Sequence, residues 1–133
     1  MASRLLIDLD YRIQTDARRV RDAWQAAGLD VLITCTYRSD EEQTRLYEQG
    51  RTAPGKIVTH AKAGESMHNH RLAIDFVPMV DGKICWEDES GLWERIARIA
   101  QQVDGRIVWG GDWSAGKRDK PHLEWSLGNL GSS

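Results

Sequence analysis

Two short stretches of this sequence place together side chains that could do chemistry. The first is Ser66-Met67-His68-Asn69-His70-Arg71-Leu72-Ala73-Ile74-Asp75, and near the C-terminus it is answered by Asp119-Lys120-Pro121-His122-Leu123-Glu124. Two imidazoles, His68 and His122, with the Asp75 carboxylate form a set that holds Zn²⁺ on three sides and leaves a fourth position for water, as catalytic zinc sites do. Asp119, three residues before His122, has the chemistry of the base that would activate that water.

Taken singly, each of His60, His68, His70 and His122 reads as an ordinary structural or surface residue; the neighbours change that. Pro121 fixes its own φ and biases Lys120 towards an extended conformation, so a strand can begin at His122. In such a strand His122 and Glu124 point to one face while Leu123 and Trp125 point to the other. Asp75 interrupts an apolar strand, where an unpaired carboxylate would cost several kcal/mol unless a metal or another cation met it. An ion pair to an arginine is the rival partner.

The elements that must position these groups follow from periodicity. Ile13, Ala17, Val20, Trp24 and Ala27 recur at spacings of three and four, which predicts an amphipathic helix ending at Gly28. Leu29 to Tyr37 reads as a buried strand, and Ser39 with Glu42 as a capping box opening a second helix that closes at Gly50. Arg38 then lies at a strand-to-helix turn. Arg51 to Glu65 shows neither period and is expected to be a long loop ordered by the site it borders. From Leu72 the pattern alternates, with Leu72, Ile74 and Phe76 on one face and Ala73, Asp75 and Val77 on the other. Asp81-Gly82 predicts a hairpin returning through Ile84 to Trp86. Leu92, Ile96, Ile99 and Val103 mark a third helix, followed by strands at Arg106 to Trp109 and His122 to Trp125, with a Gly110-Gly111 break between them. This order predicts an α+β fold with an antiparallel sheet.

With 133 residues the chain is expected to form one domain over 1–133 with a single core, burying roughly two thirds of its unfolded surface. Charged residues are 29% of the chain and the net charge is −2, which leaves no basic field to draw nucleic acid or an anionic membrane. Cys35 and Cys85 belong to no close pair, so two reduced or buried thiols are expected rather than a disulfide. Arg4 is followed by only Leu5, Leu6 and Ile7 before Asp8, too short for a signal-peptide core, so the expectation is a chain made in the cytoplasm. Five of the six tryptophans lie in the C-terminal half, with Trp93 assigned to the core.

The spacing Ser-x-His-x(6)-Asp with Asp-x-x-His resembles the VanY-like zinc peptidases of peptidoglycan. That group includes D-Ala-D-Ala carboxypeptidases, vancomycin-resistance dipeptidases and the L-alanyl-D-glutamate endopeptidases of phage endolysins. Further blocks look like the endolysin branch: Tyr37-Arg38-Ser39, Gln43, Leu46-Tyr47, Gly50-Arg51-Thr52, Pro54 to Thr59, Ala73-x-Asp75-Phe76 and Trp109-Gly110-Gly111-Asp112-Trp113. The resemblance implies the Hedgehog/DD-peptidase fold, one Zn²⁺ per chain on His68, Asp75 and His122, and hydrolysis of the peptidoglycan stem peptide, foremost at the L-Ala-D-Glu bond. It implies Asp119 as general base and acid, Arg38 on the oxyanion or a substrate carboxylate, and Ser66 on the substrate or steadying the His68 loop. Gln43 is assigned to substrate binding and Glu124 to support of the metal ligands. A D-alanyl-D-alanine carboxypeptidase is the alternative within the enzymes, and a non-catalytic zinc-stabilised binding module is the alternative outside them.

A phage-type lysin would act as a monomer on the wall in the periplasm and would need a holin to reach it. Three positions depart from the family pattern. Arg71 stands where glycine is usual and is expected to line the substrate groove or alter its width; His60 and His70 stand where asparagine and an aromatic residue are common, positions open to a supporting or alternative ligand, but the family pattern places the ligands at His68 and His122 instead.

Overall fold

The computed structural model describes residues 2–88 and 90–127; the rest of the span expected as one domain lies outside the described residues. Its elements are α1 (Tyr11–Ala26), β1 (Asp30–Cys35), α2 (Asp40–Glu48), β2 (Ala73–Val80), β3 (Lys83–Ile84), α3 (Leu92–Val103), β4 (Ile107–Trp109) and β5 (His122–Trp125). The fold is α+β. The strands form one antiparallel sheet in the order β1-β2-β5-β4, with β3 returning on β2. Among the described residues no helix is long and apolar enough to cross a membrane.

The apolar stripe of α1 buries Ile13, Ala17, Val20 and Trp24. The Asp10 carboxylate caps its first turn by accepting from the Arg12 amide, and Gly28, at φ +75°, lets the chain turn out of the helix into β1. α3 buries Trp93, Ile96, Ala97 and Ala100 beside α1, and the Trp24 indole N–H donates to the Ile96 carbonyl at 2.9 Å. Phe76 of β2 sits between Trp24 and Trp93, with ring centroids 5.9 and 5.5 Å away.

Two local expectations are corrected. Ser39 accepts from the Glu42 amide, but the Glu42 carboxylate turns to Arg45 at 2.5 Å, so this cap is one-sided. The reciprocal box forms instead at Ser66 and Asn69, on a 3₁₀ turn over Met67–His70. The strand after the hairpin ends at Ile84, leaving Trp86 exposed and stacked on Trp93 at 5.9 Å. In β2 the residues sharing a face with Asp75 are also buried: Ala73 and Val77 are as enclosed as Ile74 and Phe76. Both faces of the strand are covered, and it opens towards solvent at Asp75, which is half-buried.

Phe76 packs against a buried tryptophan from each of the two helices, Trp24 and Trp93. Phe76→Ala is expected to destabilise the protein by about 3–5 kcal/mol, read in urea unfolding as a lower midpoint with unchanged slope. A loss below about 1 kcal/mol would contradict this account of the core.

Candidate metal centre and active-site cleft

Strand pairing brings the site together. Asp75 lies opposite Cys35 on β1 and opposite His122 on β5, so the two flanking strands present their side chains to the same carboxylate. His68 reaches it from the 3₁₀ turn capped by Ser66, whose hydroxyl accepts from the His68 amide. The Oδ1 atom of Asp75 is 3.0 Å from His68 Nε2 and 3.3 Å from His122 Nδ1. The two rings meet edge to face, 5.2 Å between centroids.

The far nitrogen of each ring is already committed. His68 Nδ1–H donates to the Thr36 carbonyl at 2.9 Å, and His122 Nε2–H donates to Glu124 Oε1 at 2.8 Å. Because a carbonyl and a carboxylate can only accept, each far nitrogen carries a hydrogen. Each near nitrogen then either bears a second proton or turns a lone pair towards Asp75. The latter state, with two imidazole lone pairs and a carboxylate converging, is the donor set of a divalent metal, and tethering of the distal ring nitrogen is how proteins orient histidine ligands. Glu124 thus supports His122.

Cys35 joins this cluster: its thiol, His68 and Asp75 offer ligand atoms that all lie within 4.8 Å of one another. The thiol stands 3.5 Å from His68 Nδ1, the nitrogen bound to Thr36, and 3.5 Å from Arg38 Nη2. Its place behind the ring makes it a neighbour of the donors rather than a partner across from them. Sequence reasoning read Cys35 only as a thiol, free and buried as it is here; only the strand register reveals its proximity.

Arg38 faces the cleft from the turn after β1. Its Nη2 is 3.9 Å from Asp75 Oδ2, a looser contact than those of the histidines. Gln43 requires a correction. It is fully buried, accepts from Arg38 Nη1 at 2.9 Å, and donates from Nε2 to the Ala61 carbonyl at 2.7 Å. No face of that amide is left for substrate; it fixes the guanidinium and ties the 51–65 loop to α2. Arg71 is also corrected: it adopts φ +63°, the left-handed conformation that favours glycine. Its guanidinium leaves the cleft and stacks on Tyr37 at 3.8 Å, donating to the Asp8 carbonyl. His70 is exposed and paired with the Gly64 carbonyl, and His60 lies on the cleft wall; among the described residues the Asp75 carboxylate is met by His68 and His122 instead. Asn69, which sequence reasoning missed, donates to the Arg38 carbonyl at 2.8 Å and accepts from the Ser66 and Gly64 amides. The Ser-x-x-Asn spacing was its available signal.

The cluster forms the floor of a cleft of about 1120 Å³, walled by Leu46, Ile57, Val58, Met67 and Trp113, with Asp119 at its edge. Although residue 119 is exposed at the surface, protein atoms crowded around its carboxyl desolvate it and raise it above its ordinary value, helped by the charge of Asp75 and opposed by His122, His68 and Arg38. Burial alone would depress both imidazoles, but their bonds to Asp75 push His68 up to about 10 and His122 up to about 9 when no metal lies between them. Burial would raise Asp75, yet the two histidines hold it well below the usual carboxylate range.

This fold and this donor set define a metallohydrolase-like class, and comparison with known proteins resolves it. The family model described as D-alanyl-D-alanine carboxypeptidase, of peptidase family M15, matches residues 59–125. The chain is 42% identical over 125 residues to the peptidoglycan L-alanyl-D-glutamate endopeptidase CwlK of Bacillus subtilis (strain 168), covering 88% of this chain and 73% of that one. The chain belongs to the M15 peptidase family. Its fold is shared with the L-Ala D-Glu endopeptidase ChiX of Serratia marcescens, at TM-score 0.66 and 21% identity over 95% of this chain and 89% of that one. It is shared as well with the vancomycin-resistance D,D-pentapeptidase VanY, solved with Zn(II), at TM-score 0.63 and 18% identity over 88% and 72%.

The protonation of the cluster sets a pH signature. Folded-state pKa values of about 10 and about 9 exceed the ordinary 6.5, so the two histidines stabilise metal-free protein fully below about pH 6.5 and lose that contribution as pH rises through both values. Chelator-stripped protein should therefore show a Tm that falls between about pH 6.5 and 10, more steeply than His122→Gln treated alike. A divalent metal must displace both ring protons, so its Tm increment should grow as pH rises towards about 9 to 10, where those protons leave. A metal-free Tm that rises over the alkaline range, relative to the variant, would contradict the assignment.

Proposed function

We propose that this chain is a zinc-dependent peptidoglycan endopeptidase that hydrolyses the L-Ala-D-Glu bond of the stem peptide. The observation that carries the reading is the convergence of His68 Nε2 and His122 Nδ1 on Asp75 Oδ1, each ring tied from behind, in a cleft edged by Asp119. The 42% identity to CwlK supports the choice of bond. His68, Asp75 and His122 would hold the ion, and Zn²⁺ bound there would supply Lewis-acid activation of water and of the scissile carbonyl.

The remaining work falls to the chain itself. Asp119 takes a proton from water as its oxygen adds to the alanyl carbonyl, then passes that proton to the departing glutamyl nitrogen as the C–N bond breaks. Its raised pKa suits a group that must both accept and release a proton. Arg38, held by Gln43, offers a fixed positive charge to the oxyanion or to a substrate carboxylate. The apolar wall of Ile57, Val58 and Trp113 is placed to exclude water from the bound stem.

Mass spectrometry of digested sacculi tests the bond. The endopeptidase releases peptides with a free D-Glu N-terminus, whereas the D-alanyl-D-alanine carboxypeptidase reading requires free D-alanine instead. Asp119→Ala should keep its zinc and lose about 10²- to 10⁴-fold in turnover. Hydrolysis at the parent rate in that variant would show that Asp119 is not the base.

A further inference from the structure

Asp119 has no local support of its own: among the described residues no hydrogen bond holds its carboxylate, and it lies in the 114–120 stretch, which is exposed throughout. Its placement must come from its backbone. The Asp119 amide donates to the Gly110 carbonyl at 2.9 Å, and its own carbonyl accepts from the His122 amide at 3.1 Å. One residue on, the Lys120 carbonyl accepts from the Trp109 indole N–H at 2.8 Å. The loop is thus gripped at successive peptides by Trp109 and Gly110.

Two adjacent glycines make that grip possible for different reasons. A Cβ on Gly110 would overlap the Asp119 carbonyl oxygen, so the two peptides can meet only if residue 110 lacks a side chain. A Cβ on Gly111 would overlap the Trp109 ring, which folds back over the turn to aim its N–H at Lys120. The turn is anchored in turn: Gly110 also accepts from the Trp113 amide, and Arg98 of α3 pairs with Asp112 at 2.7 Å. Trp109 pairs in register with Leu123, the neighbour of His122, so one strand pair sets both His122 and the group that holds Asp119.

We propose that Trp109, Gly110 and Gly111 are positioning residues for Asp119, fixing the base relative to His122 without touching substrate. The inference rests on the reading of Asp119 as general base. Displacement of a reacting group by about 1 Å can cost about 10²-fold in rate.

The test compares Trp109→Phe, which keeps an aromatic side chain and removes the N–H donor, with Gly110→Ala and Asp119→Ala. Each is assayed on sacculi for kcat and KM, for zinc content, and for amide hydrogen exchange. Trp109→Phe and Gly110→Ala should lose about 10- to 100-fold in kcat with KM within about twofold and zinc retained, and faster exchange should be confined to residues 114–121. Unchanged kcat in both, with Asp119→Ala inactive, would overturn the positioning role and leave the base assignment standing. Loss of zinc, or faster exchange across the whole chain, would overturn it in favour of general structural support. Full activity in Asp119→Ala would remove the base reading and this inference together.

Discussion

A carboxylate in the middle of a covered strand is the constraint around which this molecule is organised. Asp75 sits in β2 between two paired neighbours, with Ile74 and Phe76 fully buried on either side of it in sequence. Left unmatched, such a charge would oppose folding; here it is met by His68 and His122, with Arg38 further away. On the proposed reading, protons and the metal ion compete for the same two ring nitrogens beside Asp75.

The groups that hold the donors are themselves fully engaged. Thr36, which orients His68 through its carbonyl, donates its amide to the Ser3 carbonyl at 2.7 Å and its hydroxyl to the Leu5 carbonyl at 2.9 Å. The segment before α1 thus braces a metal-ligand candidate far away in sequence. Asn69 similarly joins the turn bearing His68 to the turn bearing Arg38, and Gln43 joins Arg38 to the 51–65 loop. This connected support leaves His68 and Arg38 beside Asp75 with little freedom to move apart.

Much of this was legible in the sequence because it was written in local patterns. The three helices follow from their apolar stripes, and the antiparallel order from the Asp81-Gly82 turn and the apolar strands. Asp75 stood out as a polar interruption of an apolar strand, and His68, His122 and Asp119 through the Ser-x-His-x(6)-Asp and Asp-x-x-His spacings. What could not be read was decided by tertiary register or by competition between neighbours. Cys35 faces Asp75 only because β1 pairs with β2 in one register. Glu42 chose Arg45 over its own cap, and Gln43 looked like a polar cleft residue because its partner Ala61 is a backbone carbonyl eighteen positions away. Arg71 looked like an intrusion into the groove, yet its left-handed backbone turns it onto Tyr37.

The most direct test of the central claim is the metal content of protein purified without chelator, by inductively coupled plasma mass spectrometry, for the parent chain and for His68→Ala and His122→Ala. The account predicts about one zinc per chain, lost in both variants. Protein that neither carries zinc nor takes it up on titration, or variants that keep it, would contradict the site.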